Sequence, residues 1–410
     1  MIIEYCSTMN KLLILLLLFA LPCHSQMVIG NAYINDLKVD NTISVGAASF
    51  EVYISALENK QIGVVANHTS LVEENHLVDL LLARKITIKA VYAPEHGFRG
   101  EAANGEKVDS GKDAQTGLTI HSLYGKNKKP SKEMLSGIEV MVFDMQDVGA
   151  RFYTYLSTMH YVMEACAENN IPLIVLDRPN PNGFYVDGPI LEPKFQSFVG
   201  MHPIPIVHGM TLGELAQMIN GEKWLNEGVQ CDLTVVPCVN YEHTDLYLLP
   251  VNPSPNLTSQ EAIYLYPSLC LFEPTKVSIG RGTEHPFEVI GHPKHEFGSY
   301  TFTPEDQPGK SMNPKYEGEE CRGQILTNFG EFYFTSHRSM YLEWLVAMYE
   351  FYPDKTTFFT SADFFDKLAG TSTLRKQLEQ GKTAAEIQES WQAGLMEFRS
   401  QRLPYLLYPD

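Results

Sequence analysis

Short, nearly continuous apolar runs recur between about residue 50 and residue 240, and four of the five turn polar at their carboxyl end. They begin the segments QIGVVANHTS, ITIKAVYAPEHG, IEVMVFDMQDVG, IPLIVLDRPNP and CDLTVVPC. Between them, HLVDLLLARK, TYLSTMHYVMEACAENN and LGELAQMIN carry apolar residues at helical spacing. Buried strands that alternate with helices predict a parallel sheet covered on both faces. We therefore expect an α/β fold with a Rossmann-like parallel sheet domain.

The texture of the chain changes beyond residue 245, where proline, glycine and aromatic residues become frequent and turn signals multiply. The segments SMYLEWLVAMYEFY and AAEIQESWQAGLMEFRSQR then show amphipathic helical patterns. This change predicts a Rossmann-like domain over residues 26–245 and a second, smaller α+β C-terminal domain over residues 246–410.

Polar side chains cluster at the carboxyl ends of the predicted strands. They are Asn67, Glu95, Asp144, Asp147, Asp177 and Arg178. Open parallel sheets bind ligands in a crevice at this edge. Several polar strand ends in sequence order therefore favour a functional site over unrelated surface loops.

Composition and charge narrow the class of protein. The 410 residues are 44% hydrophobic and 20% charged, which is typical of a globular chain. The net charge of −18 and the lack of a Lys/Arg cluster argue against a nucleic-acid partner, since binding to phosphates requires a basic face.

The N-terminus has the layout of a secretory signal peptide. Lys11 precedes the apolar run LLILLLLFALP, and cleavage after Ser25 would remove residues 1–25. A lipid anchor on Cys23 is the alternative, although Pro22 directly before it fits poorly. No second apolar run is long enough to span a membrane. We expect a periplasmic or secreted protein without a membrane span in its mature form.

Several enzyme classes lack their motifs in this chain. There is no G-x-G-x-x-G turn after the first strand and no P-loop, so a dinucleotide or nucleotide cofactor is not expected. There is also no G-x-S-x-G nucleophile elbow and no H-E-x-x-H or Cys/His zinc spacing, although EHG, HGM and GHPKH are suggestive fragments. We expect neither a cofactor nor a catalytic metal.

Carboxylates and amides at strand ends suit acid/base chemistry on a sugar. Glu95 follows Pro94 and lies near two aromatic residues in YAPEHGFRG, and a partly apolar environment is typical of a glycosidase general acid. His96 and Arg99 are then substrate contacts or structural residues. An ordinary surface loop is the alternative interpretation.

The other candidates each have a structural alternative. The aromatic run at residues 151–157 offers rings for a pyranose or begins a buried helix. Asp147 contacts a ligand together with Asp144, or it caps the following helix. Asp177 and Arg178 could form an internal ion pair, and His208 precedes Thr211, whose capping box with Glu214 indicates structure.

Taken together, these stretches resemble a known family. GVVANHTS, APEHGFRG, FDMQDVGARFYTY, VLDRPNPNG, VDGP, HGMTLGELA, NPSPNL and SIGRGTEHPFEVIGHP occur in the order found in the NamZ or YbbC-like exo-β-N-acetylmuramidases. The resemblance implies an enzyme that releases N-acetylmuramic acid (MurNAc) from non-reducing ends of peptidoglycan fragments such as MurNAc-GlcNAc. It also implies an active site in the cleft between a Rossmann-like domain and an auxiliary domain.

The resemblance places the catalytic glutamate at Glu95. Glu273 and Asp144 or Asp147 are candidates for a second catalytic group. The family pattern EGT is replaced here by Glu273-Pro274-Thr275. MurNAc carries a lactyl carboxylate, so one of the motif arginines is expected to bind it. The candidate substrate contacts are Asn67, His96, Arg99, Asp147, Arg151, Tyr153, Asp177, Arg178, His208 and Arg281.

Two other functions remain open at this point. A non-catalytic muropeptide or glycan-binding protein would use the same cleft without turnover, and a metal-dependent deacetylase or esterase would lose activity in EDTA. In each case the expected partner is a small carbohydrate. The sequence makes no prediction about oligomeric state.

Overall fold

The computed structural model describes residues 42–95, 97–99 and 110–410. The signal segment at residues 1–25, Cys23 and His96 lie outside these residues, so the predictions for them stay predictions. No helix in the described ranges is both long and apolar enough to cross a bilayer.

The strands are numbered in chain order. They are β1 (Gln61–Ala66), β2 (Leu71–Val72), β3 (Asn75–His76), β4 (Thr87–Ala93), β5 (Gly111–Lys112), β6 (Thr119–Ser122), β7 (Val140–Asp144), β8 (Leu173–Leu176), β9 (Leu233–Val236), β10 (Val289–His292), β11 (Tyr300–Phe302) and β12 (Cys321–Ile325).

The helices are numbered in the same way. They are α1 (Phe50–Leu57), α2 (Leu77–Ala83), α3 (Tyr155–Asn169), α4 (Leu212–Gly221), α5 (Gln260–Leu269), α6 (Gly330–His337), α7 (Glu343–Phe351), α8 (Lys355–Phe358), α9 (Ala362–Ala369), α10 (Thr373–Glu379), α11 (Ala384–Glu389) and α12 (Gln392–Arg402).

A seven-stranded sheet with the order β5-β6-β4-β1-β7-β8-β9 organises the first part of the chain. Every neighbouring pair is parallel except β5 and β6. Numbered along the chain, the six parallel strands lie in the order 3-2-1-4-5-6, which is the doubly wound Rossmann arrangement. The predicted Rossmann-like parallel sheet is confirmed.

The two faces of the sheet bury alternate side chains. On β1, Ile62 and Val64 join one apolar cluster, and Val65 joins the other. The first cluster includes residues of α1 and α2, and the second includes residues of α3 and α4. This accounts for the nearly continuous apolar strands, because both faces of each central strand are buried.

Local signals fix the ends of the helices on the sheet. Thr211 caps α4 and forms the predicted capping box with Glu214. Helix α3 ends at Asn170, which has the left-handed conformation with φ of 53° that closes many helices. Cys166 in this helix is buried and forms no disulfide.

The second part of the chain is smaller and contains the antiparallel sheet β10-β12-β11 together with the helices from α5 onwards. Many of its apolar residues, among them Phe287, Ile290 and Trp391, belong to the same cluster as the α3 face of the large sheet. The two parts therefore share one core. The predicted α+β C-terminal unit is confirmed, whereas its boundary at residue 246 stays a prediction.

The last residues of the chain are tied to the sheet by a buried polar network. The Tyr408 hydroxyl donates to Asp177 Oδ2 over 2.6 Å. His243 lies between Glu214 Oε2 at 2.9 Å and Asp410 Oδ1 at 3.1 Å. These two carboxylates outweigh burial and raise the pKa of His243 to about 9, although burial alone would lower it.

We predict that His243 stabilises the protein in a pH-dependent way. Because its pKa is raised on folding, its contribution is complete below about pH 6.5 and is lost as the pH rises through about 9. Replacing His243 by Gln should lower the free energy of unfolding by roughly 2 to 3 kcal/mol at pH 6 and by much less at pH 10. Urea denaturation of both proteins at each pH measures this difference, and an equal difference at the two pH values would contradict it.

Candidate active site

The carboxyl ends of the central strands converge at one edge of the sheet. The order of the strands reverses between β1 and β7, and such a switch point opens a crevice for ligands. Asn67 follows β1, Glu95 lies two residues beyond β4, and Asp144 ends β7. The predicted gathering of polar strand ends is therefore present in the structure.

A cavity at this edge is shared by the two parts of the chain. It encloses about 400 Å³ of space free of protein atoms, including its open mouth. Its lining residues are Glu95, Tyr153, Thr154, Tyr155, Ser254, Asn256, Leu257, Tyr266, Arg281 and Phe287. One carboxylate, one guanidinium and several aromatic rings therefore face a common space.

Glu95 is a half-buried carboxylate in the turn after β4. This turn closes through the Gly97 amide, which donates to the Pro94 carbonyl over 3.1 Å, and Gly97 has φ of 77°. The Thr154 hydroxyl donates to Glu95 Oε2 over 3.3 Å. The side chain of Tyr124 also bonds to Glu95, and burial together with this carboxylate raises the pKa of Tyr124. Hydroxyl groups therefore orient the carboxylate at the cavity wall.

The loop at residues 252–257 is pinned onto the sheet edge by aromatic and imidazole side chains. The Tyr153 hydroxyl donates to the Pro253 carbonyl over 2.7 Å, and the Tyr155 hydroxyl reaches the same oxygen at 3.4 Å. His68 Nε2 lies 2.8 Å from the Asn252 carbonyl. These contacts bring Ser254, Asn256 and Leu257 to the cavity.

Asn67 organises the turn after β1. Its Oδ1 accepts from the Thr69 amide at 2.9 Å and from the Thr69 hydroxyl at 2.6 Å. The Gln146 amide donates to this hydroxyl over 3.0 Å, which joins the β1 and β7 turns. Asn67 does not line the cavity, and its completely buried Nδ2 has no hydrogen-bond partner in the described part of the chain.

Asp147 is buried behind the cavity wall, and burial raises its pKa to about 7. Its Oδ1 accepts from the Gly149 amide over 2.7 Å, while Oδ2 has no hydrogen-bond partner among the described residues. Helix α3 begins after Thr154, so the interpretation of Asp147 as its cap is wrong. Its carboxylate instead closes its own turn. Burial raises the pKa of Tyr153 and Tyr155, and the negative charge of Asp147 raises it further.

Asp144 is held in a buried ion pair and does not line the cavity. Arg178 Nε donates to its Oδ1 over 2.6 Å and Nη2 donates to its Oδ2 over 3.0 Å. The suggested ion pair between Asp177 and Arg178 is therefore wrong, because the partner of Arg178 is Asp144. Asp177 accepts from Thr211, Gly213 and Tyr408, and burial raises its pKa to about 6.

Of the four candidate arginines, Arg281 is the one that lines the cavity. Arg99 pairs with Asp113 at 2.9 Å and with Asp79 at 3.4 Å. Arg151 is completely buried and donates to three backbone carbonyls, at Pro189, Ile204 and Leu368. Arg99 and Arg151 are thus held by partners that are distant in the sequence, whereas Arg281 faces the cavity.

Arg281 is oriented by Glu273. Its Nε and Nη2 lie 2.7 Å and 2.6 Å from Glu273 Oε1, and its guanidinium stacks 4.9 Å from the ring centre of Phe287. The flanking Gly280 and Gly282 have φ of 78° and 81°, and a Cβ on either would meet backbone within 2.6 Å. Glu273 does not line the cavity itself, and it influences the cavity by orienting Arg281.

His208 is buried away from the cavity, where it accepts from the Met210 amide through Nδ1 over 3.2 Å. Burial lowers its pKa to about 3. In the ranges that the structure describes, no group of three or more His, Cys, Asp or Glu residues could hold a metal ion.

Five residues of the cavity wall were not predicted from the sequence. They are Ser254, Asn256, Leu257, Tyr266 and Phe287. The motif NPSPNL contains the first three, so their presence in a shared motif was the available signal. Nothing in the local pattern indicated that this loop folds back onto the strand ends.

Comparisons with known proteins agree with this architecture. The profile of the exo-beta-N-acetylmuramidase NamZ N-terminal domain matches residues 62–261, and that of the C-terminal domain matches residues 264–408. The peptidoglycan beta-N-acetylmuramidase NamZ of Bacillus subtilis (strain 168) is 40% identical over 376 residues, which cover 87% of this chain and 89% of the relative.

Two solved structures of DUF1343 family proteins from Bacteroides fragilis NCTC 9343 share the fold. One is 46% identical with a TM-score of 0.83 and covers 90% of this chain and 99% of its own. The other is 29% identical with a TM-score of 0.73 and covers 89% of this chain and 99% of its own. With both domain profiles matched along most of its length, the chain belongs to the NamZ exo-β-N-acetylmuramidase family.

Proposed function

We propose that this protein is an exo-acting β-N-acetylmuramidase that releases MurNAc from the non-reducing ends of peptidoglycan fragments during cell-wall turnover, with Glu95 as the general acid. The observation that carries the proposal is the shared cavity, in which Glu95 and Arg281 face aromatic rings. The named activity of the 40% identical Bacillus subtilis relative supports the same reaction.

We assign protonation of the leaving oxygen to Glu95. Cleavage of a glycosidic bond requires a proton at that oxygen as the anomeric carbon becomes cationic. Within the described ranges, Glu95 is the carboxylate that lines the cavity, and its Oε2 is oriented by the Thr154 hydroxyl. Because this donor is already in position, less entropy is lost when the transition state forms.

We assign binding of the lactyl carboxylate to Arg281. A strongly acidic protein repels an anionic sugar unless a local cation is present, and Arg281 supplies one at the cavity wall. Glu273 Oε1 holds both Nε and Nη2, and these two contacts orient the guanidinium before substrate arrives. Tyr153 and Tyr266 line the cavity beside this cation and add apolar surface for the sugar.

Replacing Glu95 by Gln tests the general acid. We expect kcat for MurNAc-GlcNAc to fall by about 10²- to 10⁴-fold with little change in KM, because the leaving oxygen of GlcNAc requires a proton and the amide keeps the shape but cannot donate it. The exposed Glu74→Gln variant is the matched control, with wild-type kinetics. Full activity of Glu95→Gln would exclude this role, and loss of wild-type activity in EDTA would favour a metal-dependent deacetylase or esterase.

Replacing Arg281 by Gln tests recognition of the lactyl group. We expect KM for a chromogenic MurNAc β-glycoside to rise by about 10- to 100-fold, which corresponds to the loss of one charge-assisted hydrogen bond. Binding of the GlcNAc counterpart, which lacks the carboxylate, should change little. The exposed Arg322→Gln variant removes a charge elsewhere and should behave as wild type. An unchanged KM for the MurNAc glycoside would remove Arg281 from the binding site.

We also propose that the protein is exported, with residues 1–25 as a signal peptide. The support is the charge and apolar layout of this segment, and the location of peptidoglycan outside the cytoplasm. Expression of the full chain, followed by fractionation and N-terminal sequencing, should show a periplasmic or secreted protein that begins after Ser25. An intact N-terminus in the cytoplasmic fraction would exclude export, and a lipid adduct on Cys23 would establish the anchored alternative.

A further inference from the structure

The segment at residues 313–316, NPKY, packs against the loop at residues 272–277 and against Gly282, the two places that hold the Glu273–Arg281 pair. A Cβ on Gly282 would lie 2.6 Å from Pro314 Cγ. The Tyr316 hydroxyl donates to the Lys276 carbonyl over 2.6 Å. This segment therefore contacts the backbone beside Arg281 and the loop that carries Glu273.

The ammonium group of Lys315 lies inside that loop. Its Nζ is 2.6 Å from the Thr275 carbonyl, 2.8 Å from that of Val277, and 3.3 Å from those of Phe272 and Glu273. Four carbonyl dipoles thus point at one cation, which holds the backbone of the loop in place. Such charge-assisted hydrogen bonds are about twice as strong as those between neutral groups.

We propose that Lys315 is a positioning residue for substrate specificity: its ammonium fixes the loop at residues 272–277, so that Glu273 holds Arg281 in the orientation that binds the lactyl carboxylate. This inference rests on the proposed function, since it assumes that Arg281 binds that group. Lys315 does not line the cavity and acts through Glu273 and Arg281.

The charge of Lys315 makes this positioning sensitive to pH. Burial lowers its pKa to about 8, with Arg281 and Lys276 acting in the same direction and Glu273 opposing them. His292 also faces it, but burial and neighbouring cations lower the pKa of His292 to about 4, so it stays neutral. Burial raises the pKa of Tyr266 and Cys270 beside Arg281, so neither ionises near pH 8.

The neutral amine should loosen the loop without destabilising the whole protein. Because the pKa of Lys315 is lowered on folding, the unfolded chain binds more protons between about pH 8 and pH 10.5. This group therefore adds stability as the pH rises through that interval, while the cation that holds the carbonyls is lost. A fall in specificity at alkaline pH would thus be separable from unfolding.

The first experiment measures Kd for free MurNAc and free GlcNAc by calorimetry at pH 7 and uses their ratio as specificity. Wild type should prefer MurNAc, and Lys315→Ala should reduce that preference by at least about tenfold through weaker MurNAc binding alone. Added n-propylammonium, which replaces the deleted side chain, should restore the preference, whereas 1-propanol should not. Lys276→Ala, which removes a neighbouring charge on the same loop, should keep the wild-type ratio.

The outcomes separate this inference from the proposed function. A wild-type protein that does not prefer MurNAc would overturn both. A wild-type preference that survives in Lys315→Ala, or equal losses of MurNAc and GlcNAc binding in that variant, would overturn the role of Lys315 alone.

Wild type and Lys315→Arg keep the test decisive if the alanine variant does not fold. The wild-type preference for MurNAc should fall as the pH rises through about 8, whereas the permanently charged guanidinium of Lys315→Arg should hold it constant. The lactyl carboxylate and Arg281 stay ionised throughout. A wild-type preference that falls with rising pH to the same extent in Lys315→Arg would overturn the proposal.

Discussion

The buried ion pair between Arg178 and Asp144 joins the strand ends on which the site is built. Asp144 ends β7, Arg178 follows β8, and Arg178 Nη2 also donates to the Leu71 carbonyl after β1 over 2.8 Å. The Ser70 hydroxyl donates to the Asp144 carbonyl over 2.5 Å. Both ionic side chains are almost fully buried, so loss of either partner would leave a buried charge, which costs about 3 to 5 kcal/mol. The switch point is thus rigid before any ligand binds.

The hydrogen bonds at this sheet edge also hold the loops that form the cavity wall. The turns that carry Asn67 and Gln146 are joined through Thr69, and the loop at residues 252–257 is held by hydroxyl and imidazole groups of the same edge. The second part of the chain then adds Tyr266, Arg281 and Phe287. Because the apolar core is continuous between the two parts, residues from both parts of the cavity wall are anchored in the same core.

The fold could be predicted from the sequence because its signals are local. Continuous apolar strands require two covered faces, and polar residues such as Glu95 at their ends mark one edge of a parallel sheet. The site could be predicted only in part, because the role of each arginine depends on distant partners. Arg151 is held by carbonyls at residues 189, 204 and 368, and Arg178 pairs with Asp144 rather than with its neighbour Asp177. Spacing in the sequence contains no information on such contacts.

The proline in the Glu273 loop shows how a departure from a family pattern can be accommodated. Where that pattern has glycine, Pro274 fixes φ and supplies no N–H, and its carbonyl accepts from the Thr360 amide over 2.9 Å. The four carbonyls around it at residues 272, 273, 275 and 277 are bound by Lys315. Each carbonyl from residue 272 to residue 277 thus has a hydrogen-bond partner, and proline restricts the backbone within the loop. The same arrangement explains why Glu273 can hold Arg281 although it is itself a quarter exposed.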